Sequence, residues 1–135
     1  FLTLSGYYKM QTVLDNPGDA RAPGYLATAA WLRANTSPAD QVAVVEIGYL
    51  GYFTENRIVD LVGLVEPAFT ENGSHLALNH NFWQAEPEYL LYSSTFDFLL
   101  ASILQDSRFA ARYQAVAEFP RLPAPPLILY RRLSD

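Results

Sequence analysis

Two carboxylates, Glu46 and Asp60, belong to two short apolar runs, residues 42–47 and 57–61. Burying a carboxylate costs free energy unless it is paired or hydrogen-bonded, so each of these side chains needs a partner. If the two runs form parallel strands, both carboxylates lie toward the carboxyl ends of the strands, where α/β proteins bind ligands. Two carboxylates at one edge could act as general acid and base, as in a small hydrolase.

Structural roles for the same two carboxylates are the simpler interpretation. Glu46 would lie at a strand end, where it reaches solvent or caps a neighbouring loop, or it would pair with Arg57 or another arginine. Asp60 would accept backbone N–H groups from the turn at Gly63. Glu46 and Asp60 are therefore candidate ligand contacts with structural alternatives.

A Gly48-x-x-Gly51 pair with aromatic neighbours follows the first apolar run. It lacks the glycine pattern of a dinucleotide-binding loop and the lysine of a phosphate-binding loop. Its glycines favour a tight turn or the start of a short helix. The rings of Tyr49, Tyr52 and Phe53 suit stacking on a sugar, although most aromatic side chains of a protein pack in its core. We take Gly48, Tyr49 and Tyr52 as ligand-binding candidates and Gly51 as structural.

Metal, triad and nucleic-acid chemistry have little support in the sequence. Glu71, His75 and His80 form the one group with metal-binding character, but the two histidines are not spaced for one helical face, so surface histidines and no metal are expected. A nucleophile elbow, Gly-x-Ser-x-Gly, is absent. The pair Arg131-Arg132 is too small for nucleic acid and would face lipid head groups or end the sheet. We expect no cofactor.

The elements that must position these residues alternate between helices and strands. Helices are predicted over residues 24–35 and 97–113, and a helix or an ordered loop over residues 72–85. Strands are predicted over residues 42–47, 57–61, 88–93, 114–119 and 127–131. This alternation indicates an α/β fold, a layered, mixed and partly parallel sheet of about five strands with flanking helices. The last two strands are expected to form an antiparallel hairpin.

Glycine and proline set the boundaries of the expected domain. Residues 11–24 are rich in Pro, Gly, Asn and Asp, which is typical of a loop. Gly63 breaks the second apolar run, and Pro67 suits the first turn of a helix, so both are expected to be structural. Residues 1–24 are therefore interpreted as a linker from an upstream membrane region, and residues 25–135 as a single α/β domain.

Composition excludes several classes of protein. The chain has 135 residues, is 50% apolar, and carries 9 Lys and Arg against 14 Asp and Glu, a net charge of −5. This apolar content is too high for disorder, and the charge gives no basic footprint for nucleic acid. Polar residues interrupt every apolar stretch before the roughly 18 residues that a membrane span needs. Without Cys, disulfides and thiolate metal sites are excluded.

Three motifs follow one another along the chain: Trp31-Leu32-Arg33, Glu46-Ile47-Gly48, and Asp60-Leu61-Val62-Gly63-Leu64. Their order resembles the C-terminal extracytoplasmic domain of bacterial multi-pass membrane glycosyltransferases. These enzymes depend on polyprenyl-phosphate sugars and are related to arabinofuranosyl- and mannosyltransferases. The resemblance extends over about residues 25–132, and the third motif is its most specific part.

The resemblance implies that transmembrane helices of the same chain precede Phe1, and that this domain lies on the extracytoplasmic face of the cytoplasmic membrane. In such enzymes the catalytic carboxylate usually lies in the membrane part, so the fragment itself is expected to be inactive. We therefore expect an accessory domain of an enzyme that transfers sugar from a lipid-phosphate donor to a cell-envelope acceptor, with a glycan or lipid-linked sugar as ligand. The alternatives are a free-standing carbohydrate-binding module, or a small hydrolase that uses Glu46 and Asp60.

Overall fold

The computed structural model describes residues 19–62 and 75–134, which form a five-stranded mixed sheet with helices on both faces. The strands are β1 (Gln41–Val44), β2 (Arg57–Asp60), β3 (Tyr89–Tyr92), β4 (Tyr113–Arg121) and β5 (Ala124–Arg132). The helices are α1 (Ala22–Asn35), α2 (Gly48–Phe53), α3 (His75–Ala85), α4 (Asp97–Leu104) and α5 (Ser107–Arg112), with a 3-10 turn at Ser94–Phe96. The predicted layered α/β fold with a partly parallel sheet is confirmed.

Four of the five strands run in the same direction. The order across the sheet is β2-β1-β3-β5-β4, in which β1 pairs in parallel with β2 and β3, and β5 pairs antiparallel with β3 and β4. The carboxyl ends of β1, β2, β3 and β4 therefore meet at one edge, which we call the carboxyl end of the sheet. The predicted hairpin of the last two strands is confirmed by the pairing of β4 with β5.

The apolar core lies in two layers, one on each face of the sheet. Side chains alternate along a strand, so Val42 and Val44 of β1 face one layer while Ala43 and Val45 face the other. Helices α1 and α2 cover the first face, and α3, α4 and α5 cover the second. This double cover explains why the sequence of β1 is apolar without alternation.

Two predicted elements differ from the structure for local reasons. The strand predicted to include Glu46 ends at Val44, because the chain then bends toward α2. The single helix predicted over residues 97–113 is divided into α4 and α5. At the break Asp106 adopts an extended conformation and its carboxylate accepts the backbone N–H of Arg108, which starts a new helix.

Helix α1 begins at Ala22, two residues before the predicted start, with Pro23 in its first turn. Segment 72–85, predicted as a helix or ordered loop, contains α3. Gly63, Pro67 and Glu71 lie outside the described residues. Among the helices of the described ranges, none combines the length and the apolar character needed to cross a membrane.

Candidate functional site

The carboxyl end of the sheet gathers charged and phenolic side chains between β1 and β3. The chain leaves β1 toward α2 on one face and leaves β3 toward α4 on the other, and ligands of open α/β sheets bind where neighbouring connections diverge in this way. We call the residues gathered at this point the switch-point cluster: Asp19, Arg21, Tyr25, Glu46, Tyr49 and Arg121.

Glu46 is the carboxylate on which this cluster converges. Its Oε1 accepts a hydrogen bond from Arg21 Nη1 at 2.8 Å, and its Oε2 accepts one from the Tyr25 hydroxyl. Arg121 Nη1 lies 3.8 Å from the same Oε2. Glu46 does not lie inside the strand but in the loop just after β1, and its side chain is 31% exposed, which agrees with the simpler interpretation of a strand-end glutamate that reaches solvent. The ion-pair interpretation holds, with Arg21 and Arg121 in place of Arg57.

Arg121, at the end of β4, is the buried cation of the cluster. Its side chain is only 3% exposed, and its Nη2 donates to Ser93 Oγ at 3.0 Å and Thr95 Oγ1 at 3.1 Å, just after β3. Its Nε donates to the carbonyl oxygen of Pro125 at 3.3 Å. The guanidinium carbon lies 5.9 Å from the centroid of the Tyr25 ring. Arg121 thus joins the ends of β3 and β4 and points at Glu46.

Asp19 and Arg21 form the solvent-facing side of the cluster. The Arg21 guanidinium binds both Asp19 oxygens, at 3.0 Å and 3.1 Å, and the Tyr49 hydroxyl donates to Asp19 Oδ2 at 2.6 Å. These hydrogen bonds, those from Arg21 first, hold the pKa of Asp19 well below its usual range. Burial, followed by the hydrogen bond to Glu46, raises the pKa of Tyr25. Asp19 is therefore a fixed anion and Tyr25 a fixed hydrogen-bond donor at neutral pH.

An open apolar surface on α2 adjoins the cluster through Tyr49. Tyr49 stacks on Tyr25 with ring centroids 5.6 Å apart and an angle of 11° between the planes. Tyr49 also lines a pocket of about 290 Å³ together with Gly48, Tyr52 and Phe53, and we call these four residues the α2 surface. Tyr52 is 57% exposed.

Both glycines of α2 have open space beside them. A methyl group added at Gly48 or at Gly51 would meet no atom within 4 Å. Crowding by neighbouring atoms therefore does not explain why these two positions are glycine. Gly48 begins α2 and Gly51 lies within it, so of the two predicted alternatives the short helix is confirmed and the tight turn is wrong. Three of the predicted ligand-binding residues, Gly48, Tyr49 and Tyr52, lie together on this helix.

Comparison with known protein families matches the chain to one family. The model of a domain of unknown function, DUF8728, matches residues 8–133. The chain belongs to the DUF8728 family. No curated protein and no solved structure matches this DUF8728 domain.

Asp60, the second predicted carboxylate, lies apart from the cluster of this DUF8728 domain. It is fully buried at the end of β2, opposite Val44 of β1, and its Oδ1 accepts the backbone N–H of Val62 at 3.1 Å. The contacts of Glu46 are with Arg21, Tyr25 and Arg121 and do not include Asp60. The structure therefore gives Asp60 the turn-stabilising role and does not bring the two carboxylates together as a pair.

Three further polar candidates, His80, Arg131 and Arg132, lie away from the switch-point cluster of the DUF8728 domain. His80 is exposed on α3, and among the described residues no three His, Asp or Glu side chains are arranged to hold a metal ion. Arg132 lies at the opposite end of the sheet, where its Nη2 pairs with Glu88 Oε1 at 3.2 Å, and its neighbour Arg131 is exposed. The Arg131-Arg132 pair thus ends the sheet with charge.

Proposed function

We propose that this DUF8728 domain is a sugar-contacting accessory domain of an extracytoplasmic membrane glycosyltransferase, and that the α2 surface makes the contact. The observation that carries the proposal is the exposed Tyr52 ring, with open space over Gly48 and Gly51 beside it. The C–H face of a sugar ring packs on the negative face of an aromatic ring, and flat neighbours let the sugar approach.

Polar groups beside the α2 surface complete a sugar-binding arrangement. Ligand sites combine apolar walls with a few fixed polar groups that orient the ligand. Tyr49 forms one wall of the pocket while its hydroxyl is bound to Asp19, which holds Arg21 in turn. Carboxylate and guanidinium groups are suitable partners for sugar hydroxyls. The apolar and polar halves therefore meet at Tyr49.

The hydrolase alternative has less support from the geometry. The Glu46 carboxylate interacts with Arg21, Arg121 and the Tyr25 hydroxyl, whereas the buried Asp60 carboxylate accepts the backbone N–H of Val62. Acid and base catalysts must both reach the reacting bond. Two carboxylates with separate protein partners favour binding over hydrolysis.

The motif order that resembles membrane glycosyltransferases supports the rest of the proposal. In the proposed enzyme, the catalytic carboxylate lies in the membrane part of the same chain, the donor is a lipid-phosphate sugar, and this domain contacts the glycan on the extracytoplasmic face. The gene sequence upstream of the Phe1 codon tests this part. Several hydrophobic helices in frame are the expected finding, and none would leave a free-standing carbohydrate-binding module as the function.

Sugar binding is tested by titrating the chain with methyl α-mannoside and methyl α-arabinofuranoside and following backbone amide signals by NMR. The signals of Gly48, Gly51 and Tyr52 are expected to shift. Tyr52→Ala should weaken binding about tenfold or more, because it removes the stacking ring. Phe98→Ala is the matched control, since Phe98 is 69% exposed on α4. No shift with either sugar, or equal losses in both variants, would contradict the proposal.

A further inference from the structure

One guanidinium nitrogen of Arg121 has no hydrogen-bond acceptor among the described residues. Nε and Nη2 donate to Pro125, Ser93 and Thr95, but Nη1 donates to none of them. It faces Glu46 Oε2 at 3.8 Å, which is beyond hydrogen-bond length. Among the described residues, the buried side-chain atom without a hydrogen-bond partner is Trp83 Nε1, so Arg121 Nη1 still reaches solvent. An anion that enters the cluster from solvent could therefore accept a hydrogen bond from Nη1.

Glu46 is placed so that its side chain can leave the cluster. It lies in the loop between β1 and α2, outside any helix or strand, and it is 31% exposed. Its departure would free three donors that now point toward its carboxylate: Arg21 Nη1, Tyr25 OH and Arg121 Nη1. Arg121 stays fixed by its bonds to β3 and β5.

We infer that the Glu46 carboxylate occupies the place of a ligand's phosphate group, which binds between Arg21 and Arg121 when the Glu46 side chain turns out to solvent. A phosphate group offers several oxygens to donors that arrive from different directions, and arginine is well suited to bind it. The amino end of α1 begins at Ala22, beside Arg21; its dipole favours an anion, and Asp19 already supplies one carboxylate there, which accepts the backbone N–H of Arg21.

The identity of the attached group rests on the proposed function, but the anion site does not. Tyr49 links the cluster to the α2 surface, so a sugar phosphate would place its sugar toward Tyr52 and its phosphate toward Arg121. Phosphate binding without sugar binding would support the anion site and overturn the proposed function. Sugar binding without phosphate binding would support the proposed function and overturn the anion site.

The test is an NMR titration of the chain with inorganic phosphate and with mannose 1-phosphate at constant ionic strength. Glu46→Gln should bind inorganic phosphate about tenfold more tightly than the unchanged chain, because the internal competitor loses its charge. Arg21→Gln should bind about tenfold more weakly. Arg21 is 55% exposed, so this variant is expected to fold normally. Arg57→Gln, an exposed arginine at the opposite end of the sheet, should bind as the unchanged chain does.

Three results would overturn the inference: no phosphate binding, equal affinity in the unchanged chain and Glu46→Gln, or equal weakening in Arg21→Gln and Arg57→Gln. A higher affinity for mannose 1-phosphate than for inorganic phosphate would support a phosphorylated sugar as the ligand. Equal affinity would support the anion site and overturn its link to a sugar.

Discussion

At the scale of single residues, Arg121 and Glu46 decide the character of the site. Arg121 is buried at the end of β4 and bound to the ends of β3 and the start of β5, whereas Glu46 lies in a loop and is partly exposed. A buried guanidinium is retained only where oxygen atoms surround it. The pair therefore combines a buried, hydrogen-bonded cation with a partly exposed anion in a loop, which is the arrangement that the inferred phosphate site needs.

Tyr92 supplies a pH-dependent prediction at this scale. Burial first, and then its hydrogen bond to Asp97 Oδ1 at 2.6 Å, raise the pKa of Tyr92 to about 12. A raised pKa in the folded state means that the stabilisation is complete below the unfolded value of about 10 and is lost as pH rises from about 10 to about 12. Tyr92→Phe should therefore lose stability less steeply across that window.

Urea denaturation at several pH values between about 9 and about 12 measures this slope. Asp97→Asn is the companion variant, because it removes the charged acceptor and should lower the pKa of Tyr92. An unchanged slope in Tyr92→Phe would contradict the assignment.

The sequence singled out some of these residues and missed others for a physical reason. Glu46 stood out because a carboxylate lies inside an apolar run, and Tyr52 because it accompanies two glycines. Arg121 gave no such signal, since its acceptors Ser93 and Thr95 are far away in the chain and only the fold brings them together. Residue type can be recognised locally, but a network of distant partners cannot.

At the scale of elements, local signals predicted the type of each helix and strand better than its ends. The break between α4 and α5 depends on one side-chain hydrogen bond of Asp106, within a stretch whose apolar spacing continues across it. The end of β1 depends on where the neighbouring strand stops, because β2 pairs with it only as far as Val44 opposite Asp60. The spacing of apolar residues reveals neither contact, so neither end could be predicted from it.

Two helical glycines give opposite predictions for the same substitution. Gly51→Ala should raise the free energy of unfolding by about 0.5–1 kcal/mol, because alanine favours a helix and the added methyl group meets no atom within 4 Å. Gly24→Ala should lower it, because the methyl group would lie 3.2 Å from the carbonyl oxygen of Pro120 and 3.3 Å from Arg121 Cβ.

Urea denaturation of the two variants beside the unchanged chain measures both effects. Each protein serves as the control for the other, since the gain in helix propensity is common to both. An equal gain at Gly24 would show that α1 does not pack closely against β4.

At the scale of the whole molecule, the order of the strands lies beyond what local patterns contain. Apolar strands interleaved with helices were enough to predict an α/β layered sheet, and the short loop around Pro123 was enough to predict the hairpin. The insertion of β3 between β1 and β5 joins a parallel half to an antiparallel half. Which strands become neighbours depends on which apolar faces fit together, so the distant partners that surround Glu46 could not be predicted from the sequence.

Because β3 lies between the two halves and between the two core layers, we predict that the molecule unfolds as one unit. Leu90, on β3, is fully buried, so Leu90→Ala should lower the free energy of unfolding by about 2–5 kcal/mol. Leu122→Ala, at a position 83% exposed, should lower it by less than about 0.5 kcal/mol.

The two tryptophans report on the two core layers separately. Trp31 packs on one layer and Trp83 in the other, so Trp31→Phe and Trp83→Phe each leave one fluorescent reporter. With either reporter, urea unfolding should show the same transition as circular dichroism of that variant, and Leu90→Ala should shift both alike. A reporter transition separate from the loss of secondary structure would mean that one layer unfolds before the other.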